Sequence, residues 1–244
     1  MTATVQDKIV LVTGANRGIG KALADEALAR GAKRVYAGTR QLLTHLDGRV
    51  TPLVLDVTNA AQVQAAASQV EALDILINNA GIMLPDDPFD PAVLERHLAV
   101  NLFGSNAMTQ AFLPALISSR GAVINLLSCV ALAPLPMFTS YSISKSAAFS
   151  LTKTLRAAHA EQGVSFHAVL AGPIDTDMTR KLEIPKTSPL SAAQAIFDAV
   201  EKGEEDIFPD PATAPLAEAW TAGADKLLER QFAQLVSVKA VNRS

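Results

Sequence analysis

Apolar and polar positions along the chain fall into two alternating patterns. Short runs such as residues 9–12 and 123–127 are apolar at nearly every position and end at turn-forming residues. Ala-rich stretches with helical spacing lie between these runs. Strands that are apolar on both faces are typical of a parallel sheet covered by helices on each side. The pattern therefore predicts an α/β fold in which strands and helices follow each other in turn.

The individual elements can be placed approximately. Predicted strands cover residues 8–13, 34–38, 51–55, 75–78, 122–127 and 165–170, with a short last strand near 206–208. Predicted helices lie near residues 19–30, 59–70, 91–118, 142–162 and 191–202. A final amphipathic stretch, residues 216–235, places Leu216, Trp220, Leu227 and Leu235 on roughly one face. Together these elements predict a single Rossmann-type, doubly wound parallel sheet of about seven strands with helices on both faces.

Composition narrows the class of protein. The chain has 244 residues, of which 49% are hydrophobic and 18% charged, and a net charge of −3. It shows no run of Lys and Arg, so we expect no nucleic-acid partner. The only cysteine, Cys129, excludes an intrachain disulfide, and neither an apolar leader in residues 1–8 nor a run of ~20 apolar residues is present. We expect a cytoplasmic protein that does not associate with membranes.

A glycine-rich segment follows the first predicted strand. It reads Thr13-Gly14-Ala15-Asn16-Arg17-Gly18-Ile19-Gly20, at the carboxyl end of the strand, where doubly wound sheets bind ligands. The following helix directs free N–H groups and its positive dipole end at a bound phosphate. The G-x-x-x-G-x-G spacing differs from the G-x-G-x-x-G fingerprint, so a tight turn without a ligand remains an alternative. A P-loop is excluded because no Gly-Lys-Ser/Thr follows at the required spacing.

The residues after the second strand indicate which nucleotide would bind. Residues 27–46 contain no Asp or Glu, the residue types that would bind the ribose 2′-hydroxyl of NAD. Arg40 instead follows Thr39 at the strand end, and Arg17 is a second candidate for a 2′-phosphate. This favours NADP(H) over NAD, with two ordinary solvated arginines as the alternative. Asp56, after the third strand, is a candidate to touch the adenine.

Three further polar segments follow predicted strands and carry candidate chemistry. They are Asn78-Asn79-Ala80-Gly81, the pair of Ser128 with Tyr141-Ser142-Ile143-Ser144-Lys145, and Ala171-Gly172-Pro173-Ile174-Asp175-Thr176. Tyr141 and Lys145 are four residues apart and so share one helix face. A tyrosine pKa near ~10 is too high for a base at neutral pH, and a nearby ammonium and an oxidised nicotinamide would lower it. Raising the acidity of the tyrosine phenol about a thousandfold requires the phenolate to be stabilised by roughly 4 kcal/mol. Ser128 would hydrogen-bond the oxygen of a reacting carbonyl.

In this combination the motifs resemble those of the short-chain dehydrogenase/reductase family over about residues 8–178. Thr13 to Gly20 fits its T-G-x-x-x-G-x-G pattern and Asn78 to Gly81 its N-N-A-G. The family's catalytic positions fall on Asn101, Ser128, Tyr141 and Lys145. The resemblance implies an NADP(H)-dependent oxidoreductase that interconverts a carbonyl compound and an alcohol, with Tyr141 exchanging the proton. It also implies that Asn101 kinks its helix and holds a water connected to Lys145.

The resemblance extends to the binding residues. Implied cofactor contacts are Gly14, Asn16, Arg17, Gly18, Ile19, Gly20, Thr39, Arg40, Asp56, Val57, Asn79, Ala80, Gly81, Tyr141, Lys145, Pro173, Ile174 and Thr176. Implied substrate contacts are Met83, Leu84, Leu135, Met137, Phe138 and Met178, an apolar lining suited to a hydrophobic ketone or aldehyde. In one domain over residues 1–244, about 1–125 would mainly bind the cofactor, and about 126–244 would supply catalysis and substrate contacts. The predicted helices 91–118 and 142–162 are expected to pair between subunits in a homodimer or homotetramer.

Two departures from the family pattern stand out. Ala171 replaces the expected proline, and the connection 41–50 leaves room for one or two helical turns. We further expect Asp175 and Asp177 to cap a lid helix, and Pro185 and Pro189 to bracket a mobile lid.

The remaining chemistry-bearing residues are read as structural. The four histidines lack metal-ligand spacing, so no metal is predicted. Strand alternation would turn Cys129 away from the site, as buried packing. A redox-sensing or scaffold protein that binds NADP(H) with little turnover is an alternative function, although such proteins typically lose the tyrosine or lysine. A methyltransferase on a similar sheet would leave Tyr141 and Lys145 without a role.

Overall fold

A seven-stranded parallel sheet forms the centre of the protein. The computed structural model describes residues 4–45, 47–85 and 90–241, with side chains up to residue 233. The strands are β1 (Ile9–Thr13), β2 (Arg34–Thr39), β3 (Val50–Val54), β4 (Ile75–Asn78), β5 (Ala122–Leu126), β6 (Ser165–Val169) and β7 (Asp206–Ile207). Their order across the sheet is β3-β2-β1-β4-β5-β6-β7. This confirms the predicted doubly wound sheet.

Helices cover both faces of the sheet. They are α1 (Gly18–Ala29), α2 (Ala60–Gln69), α3 (Pro91–Leu98), α4 (Ser105–Ser119), α5 (Thr139–His159), α6 (Pro189–Glu201), α7 (Leu216–Thr221) and α8 (Ala224–Val241). Alternate residues of β1 serve the two layers: Val10 and Val12 pack into one apolar cluster, and Leu11 packs into the other. A strand buried on both faces has no polar side to leave in solvent, which explains the uninterrupted apolar runs.

Two boundary predictions were wrong. The predicted helix 91–118 is divided by a π-helical turn, Ala99–Gly104, between α3 and α4. Helix α5 begins at Thr139 instead of residue 142, so Tyr141 lies in its first turn. The described residues of the 41–50 connection contain no helical turn; here Asp47 forms an ion pair with Arg49 over 2.7 Å.

The prediction of one amphipathic stretch over residues 216–235 was also wrong, both in the extent of the helix and in the face that it buries. The stretch is two helices, α7 and α8, separated at Ala222 and Gly223. Trp220 packs on Phe149 with ring centroids 5.6 Å apart, but Leu216 and Leu227 are 43% and 56% exposed. Leu235 lies outside the residues whose side chains are described.

Ion pairs hold helix α8 to the sheet. The apolar spacing of its sequence therefore did not predict which face is buried. Lys226, only 5% exposed, donates to Asp206 over 2.8 Å and to Glu205 over 2.7 Å. Arg156 on α5 binds Asp206 over 2.8 Å and Glu229 over 2.6 Å. In the part of α8 whose side chains are described, the buried face is therefore polar, and Leu227, Leu228 and Phe232 are exposed.

The strand order places one crevice at the centre of the sheet. Strand β1 lies between β2 and β4. The connection from β1 to β2 therefore runs in one direction across the sheet, and the connection from β3 to β4 runs in the other. Ligands of doubly wound folds bind outside the carboxyl ends of the strands at such a position. Among the described residues, no helix is long and apolar enough to cross a membrane. No group of three or more His, Cys, Asp and Glu side chains in this part of the chain could bind a metal ion.

Candidate active site

The glycine segment forms a tight loop between β1 and α1. Gly14 and Gly18 have φ angles of +68° and +55°, a left-handed conformation that favours glycine. A Cβ on Gly20 would lie 2.3 Å from the Gly14 carbonyl oxygen and from Asn79 Nδ2. Gly20 is therefore required because any side chain here would collide with the loop and with Asn79 at the end of β4.

Asn79 and Thr13 fix this loop to the end of β4. Asn79 Nδ2 donates to the Thr13 carbonyl over 2.7 Å and to the Gly14 carbonyl over 3.2 Å. Thr13 Oγ1 accepts the backbone N–H groups of Asn79 and Ala80 at 2.9 and 3.0 Å. The two segments predicted to meet at the cofactor thus form one hydrogen-bonded unit. Thr13 was not singled out as a site residue.

The two candidate phosphate-binding arginines have different surroundings. Arg40 follows the end of β2 with its side chain exposed, and its charge helps to lower the pKa of Asp56, after the hydrogen bonds that Thr58 donates to that carboxylate. Arg17 forms an exposed ion pair with Asp177, with Nη1 and Oδ2 2.8 Å apart. Exposed pairs of this kind contribute little free energy, about 0–1 kcal/mol, so the Arg17 side chain can exchange partners.

Ser128, Tyr141 and Lys145 come together at the carboxyl end of β5. The Ser128 side chain hydrogen-bonds the Tyr141 hydroxyl. Lys145 Nζ lies 5.6 Å from the centroid of the Tyr141 ring and donates to the Leu126 carbonyl over 2.7 Å. The first turns of α5 thus present the tyrosine and the lysine on one face, as their spacing predicted.

The protein surroundings shift the two pKa values in the directions that burial dictates. Burial raises the pKa of Tyr141 to about 12, although the Ser128 hydrogen bond opposes the change. Burial lowers the pKa of Lys145 to about 8. In the chain by itself desolvation dominates the tyrosine pKa, and the lowering expected from Lys145 together with an oxidised nicotinamide stays a prediction. The phenol is therefore held protonated at neutral pH.

Asn101 lies in the π-helical turn and holds the segment after β4. Its Oδ1 accepts the Ile82 N–H over 2.9 Å, and its Nδ2 donates to the Ile82 carbonyl over 3.0 Å. Nδ2 also donates to Ser144 Oγ over 2.9 Å, and this hydroxyl donates to the Tyr141 carbonyl over 2.7 Å. The predicted helix irregularity at Asn101 is thus a π-helical turn, and Ser144, which was not singled out, connects it to the tyrosine. The water on Asn101 stays a prediction.

The expectation that Cys129 is packed away from the site was wrong. Strand β5 ends at Leu126, and Cys129 begins a 3-10 turn, Cys129–Ala131, so strand alternation no longer sets its direction. Its half-buried thiol hydrogen-bonds the Ser128 side chain, while burial raises the thiol pKa. Cys129 therefore lies beside Ser128, with its thiol held protonated.

The segment after β6 is held by a residue that sequence reasoning missed. Asp210, only 3% exposed, accepts the Gly172 N–H over 2.7 Å and the Thr213 hydroxyl over 2.9 Å. A Cβ on Gly172 would lie 2.7 Å from Asp210 Oδ1. The Asp-Pro-x-Thr sequence after β7 has the spacing of a capped turn and was the available signal.

The predicted caps of the lid helix were assigned to the wrong residues. Thr176 caps the short 3-10 helix Asp177–Thr179, in a capping box with Thr179. The Asp175 N–H donates to the Thr187 carbonyl, and Asp177 pairs with Arg17. A Cβ on Gly18 would lie 3.1 Å from Thr176 Cγ2, so this segment packs directly on the glycine loop.

The predicted substrate residues border an accessible surface. Leu135, Met137 and Met178 are 42%, 69% and 41% exposed. Met83, Leu84 and Phe138 are half-buried. Ser142 Oγ accepts the Leu135 N–H over 3.2 Å, which ties the loop after β5 to the first turn of α5. Apolar side chains with this exposure have room to contact a ligand, unlike core residues.

Comparison with known proteins places this geometry in a family. The short chain dehydrogenase family model matches residues 8–186, more than half of the chain. The 3-oxoacyl-(acyl-carrier-protein) reductase FabG of Salmonella typhimurium is 31% identical over 194 residues, covering 72% of this chain and 78% of the relative. Estradiol 17-beta-dehydrogenase 2 of Mus musculus is 31% identical over 84% of this chain, which spans only 55% of that relative.

A solved structure agrees with these matches. A short chain dehydrogenase from Burkholderia cenocepacia J2315, solved in complex with NADP, is 38% identical, with a TM-score of 0.85 over 94% of this chain and 98% of the other. The chain therefore belongs to the short-chain dehydrogenase/reductase family.

Proposed function

We propose that the protein is an NADP(H)-dependent oxidoreductase that interconverts a hydrophobic ketone or aldehyde and the corresponding alcohol. The observation that carries the proposal is the half-buried Tyr141 phenol, hydrogen-bonded by Ser128, with the Lys145 ammonium 5.6 Å from the centroid of its ring. Family membership supports the reaction class. The NADP complex of the Burkholderia relative supports the cofactor.

The glycine loop fits a dinucleotide. The left-handed Gly14 and Gly18 and the start of α1 leave backbone N–H groups at the crevice without side chains in the way. Residues proposed to hold the cofactor are those of the loop, Arg17 and Arg40 for a 2′-phosphate, the segments at Asp56 and at Asn79 to Gly81, Tyr141 and Lys145 for the nicotinamide ribose, and Pro173 to Thr176. When bound, NADP(H) supplies or accepts the hydride.

The protein side of the mechanism follows from the two pKa shifts. During reduction Tyr141 donates its proton to the carbonyl oxygen, a role suited to a phenol that burial keeps protonated. Ser128 donates a hydrogen bond to the same oxygen as negative charge builds there. The Lys145 ammonium stabilises the phenolate that results, since opposite charges in a poorly solvated site attract strongly.

Replacing Tyr141 tests the chemistry. We expect Tyr141→Phe to lower kcat for carbonyl reduction by about 10²–10⁴-fold, the contribution of general acid catalysis, with NADPH affinity nearly unchanged. The assay follows NADPH absorbance with a panel of hydrophobic ketones and aldehydes and with alcohols in reverse. Tyr36→Phe is the matched control, because the chain has two tyrosines and Tyr36 lies in β2. Undiminished activity of Tyr141→Phe would refute the mechanism, and NADPH binding without turnover by the wild type would favour the scaffold alternative.

Replacing Arg40 tests the cofactor. Loss of one charged phosphate contact, about 1.5–3 kcal/mol, predicts a KM for NADPH raised about 10- to 100-fold by Arg40→Ala. The KM for NADH should change far less, because NADH lacks the 2′-phosphate. Arg34→Ala, at the opposite end of β2, should alter neither value. Equal changes for both cofactors would exclude Arg40 as a phosphate ligand.

The oligomer proposal concerns the π-helical turn, α4 and α5. Phe103 and Ile143 on these elements are 60% and 43% exposed in the single chain, which supports burial against a second copy. Light scattering that gives the mass of one chain would exclude the proposed dimer or tetramer.

A further inference from the structure

One buried imidazole contacts both the substrate side and the catalytic tyrosine. His97 lies in the last turn of α3 and has no exposed surface. Its Nδ1 is 2.8 Å from the Val93 carbonyl oxygen, and its Nε2 is 3.1 Å from the Leu84 backbone nitrogen. A carbonyl oxygen only accepts and a backbone N–H only donates, so Nδ1 carries the proton and Nε2 is the acceptor. The contacts therefore select one neutral tautomer.

The same ring lies against Tyr141. The two ring centroids are 6.3 Å apart and the ring planes meet at 66°, an edge-to-face contact. Leu84 and its neighbour Met83 are both half-buried in the segment after β4. His97 thus contacts the helix that carries it, the segment proposed to receive the substrate, and the proton donor.

We infer that His97 is a positioning residue that fixes Met83 and Leu84 relative to Tyr141 and thereby sets how well a carbonyl compound is held. The inference rests on the proposed function. An apolar side chain of similar volume would fill the space but leave the Leu84 N–H without its acceptor. The requirement for an acceptor, in addition to bulk, separates this role from ordinary core packing.

Three substitutions separate the contacts of the ring. In His97→Gln the side-chain amide reaches the position of Nε2 and can accept from Leu84. In His97→Asn it reaches only the position of Nδ1, and His97→Leu keeps bulk without either hydrogen bond. We expect His97→Asn and His97→Leu to raise the KM for the carbonyl compound about tenfold, the value of roughly one hydrogen bond, and His97→Gln to stay within about threefold.

The effect should be confined to the carbonyl side. NADPH affinity, measured by fluorescence titration, should change less than about twofold in all three variants, since His97 hydrogen-bonds Val93 and Leu84, neither of which is a proposed cofactor residue. His159→Gln, at the far end of α5, is the matched control and should leave both constants unchanged. An unchanged KM in all three variants, or a Gln variant no better than the Asn and Leu variants, would overturn the inference.

Amide hydrogen exchange at Leu84 supplies a readout that needs no activity. Exchange should be slow in the wild type and in His97→Gln, and about tenfold faster in His97→Asn and His97→Leu. If the wild type reduces no carbonyl compound, the proposed function fails by itself. Equal Leu84 exchange rates in the Gln and Asn variants would overturn the His97 contact whatever the activity.

Discussion

The buried Lys145 ammonium should destabilise the folded protein when no cofactor is bound. Burial lowers its pKa to about 8, against an ordinary value near ~10.4, so the charged form is favoured less in the folded protein than in the unfolded chain. The difference corresponds to about 3 kcal/mol at neutral pH. Lys145→Met removes this penalty and retains most of the side-chain volume.

The expected net gain is smaller than the penalty. The substitution also removes the 2.7 Å hydrogen bond to the Leu126 carbonyl, whose loss costs roughly 1–2 kcal/mol. We therefore expect the free energy of unfolding of Lys145→Met to exceed that of the wild type by about 1–2 kcal/mol at pH 7. Carbonyl reduction should be largely lost.

The pH dependence gives the sharper test. Between about pH 8 and 10 the unfolded chain holds a proton on Lys145 that the folded protein has released, so the free energy of unfolding of the wild type rises with pH. Lys145→Met should lack this rise. Tyr141 acts in the opposite sense: its pKa is raised to about 12, so its stabilising contribution is lost only as pH rises from about 10 to 12.

Urea unfolding followed by the fluorescence of Trp220, the single tryptophan, measures the gain in stability of Lys145→Met and its pH dependence between about pH 7 and 9.5, below the range in which Tyr141 contributes. Lys21→Met is the control, because Lys21 is exposed in an ion pair with Asp25. It should change stability by less than about 0.5 kcal/mol at every pH. A Lys145→Met variant that is less stable than the wild type at pH 7, or that shows the same pH dependence, would refute the reasoning.

Three further predictions concern the scaffold around the site. Gly20→Ala should destabilise the protein by about 1–3 kcal/mol and weaken NADPH binding, because its Cβ would meet the Gly14 carbonyl oxygen; Gly48→Ala, with no atom within 4 Å, should be neutral in the same unfolding and titration experiments. Asp210→Asn replaces one acceptor oxygen by a donor beside the Gly172 N–H, so unfolding in urea should show a loss of about 2–3 kcal/mol, and unchanged stability would exclude the capping role. Lys226→Met should leave Asp206 short of a cation, speed hydrogen exchange in α8 and leave kcat unchanged; protection of α8 equal to the wild type would contradict the ion-pair account of its docking.

Much of the fold and of the site was predictable because the signals are local. A strand buried on both faces requires consecutive apolar residues, and a left-handed turn after β1 requires glycine, so both are visible within a few positions. The four-residue spacing of Tyr141 and Lys145 places them on one helix face wherever that helix begins.

Tertiary structure decided what depends on partners distant in the chain. Asp210 binds Gly172 from 38 residues away, and His97 meets the Leu84 N–H and the Tyr141 ring across three segments. Neither contact leaves a periodic trace in the sequence. The Tyr141 pKa is a balance between desolvation and nearby charge, and only packing determines how much water is removed. The sequence determined which groups carry the chemistry, and the fold determined their protonation and what holds them in place.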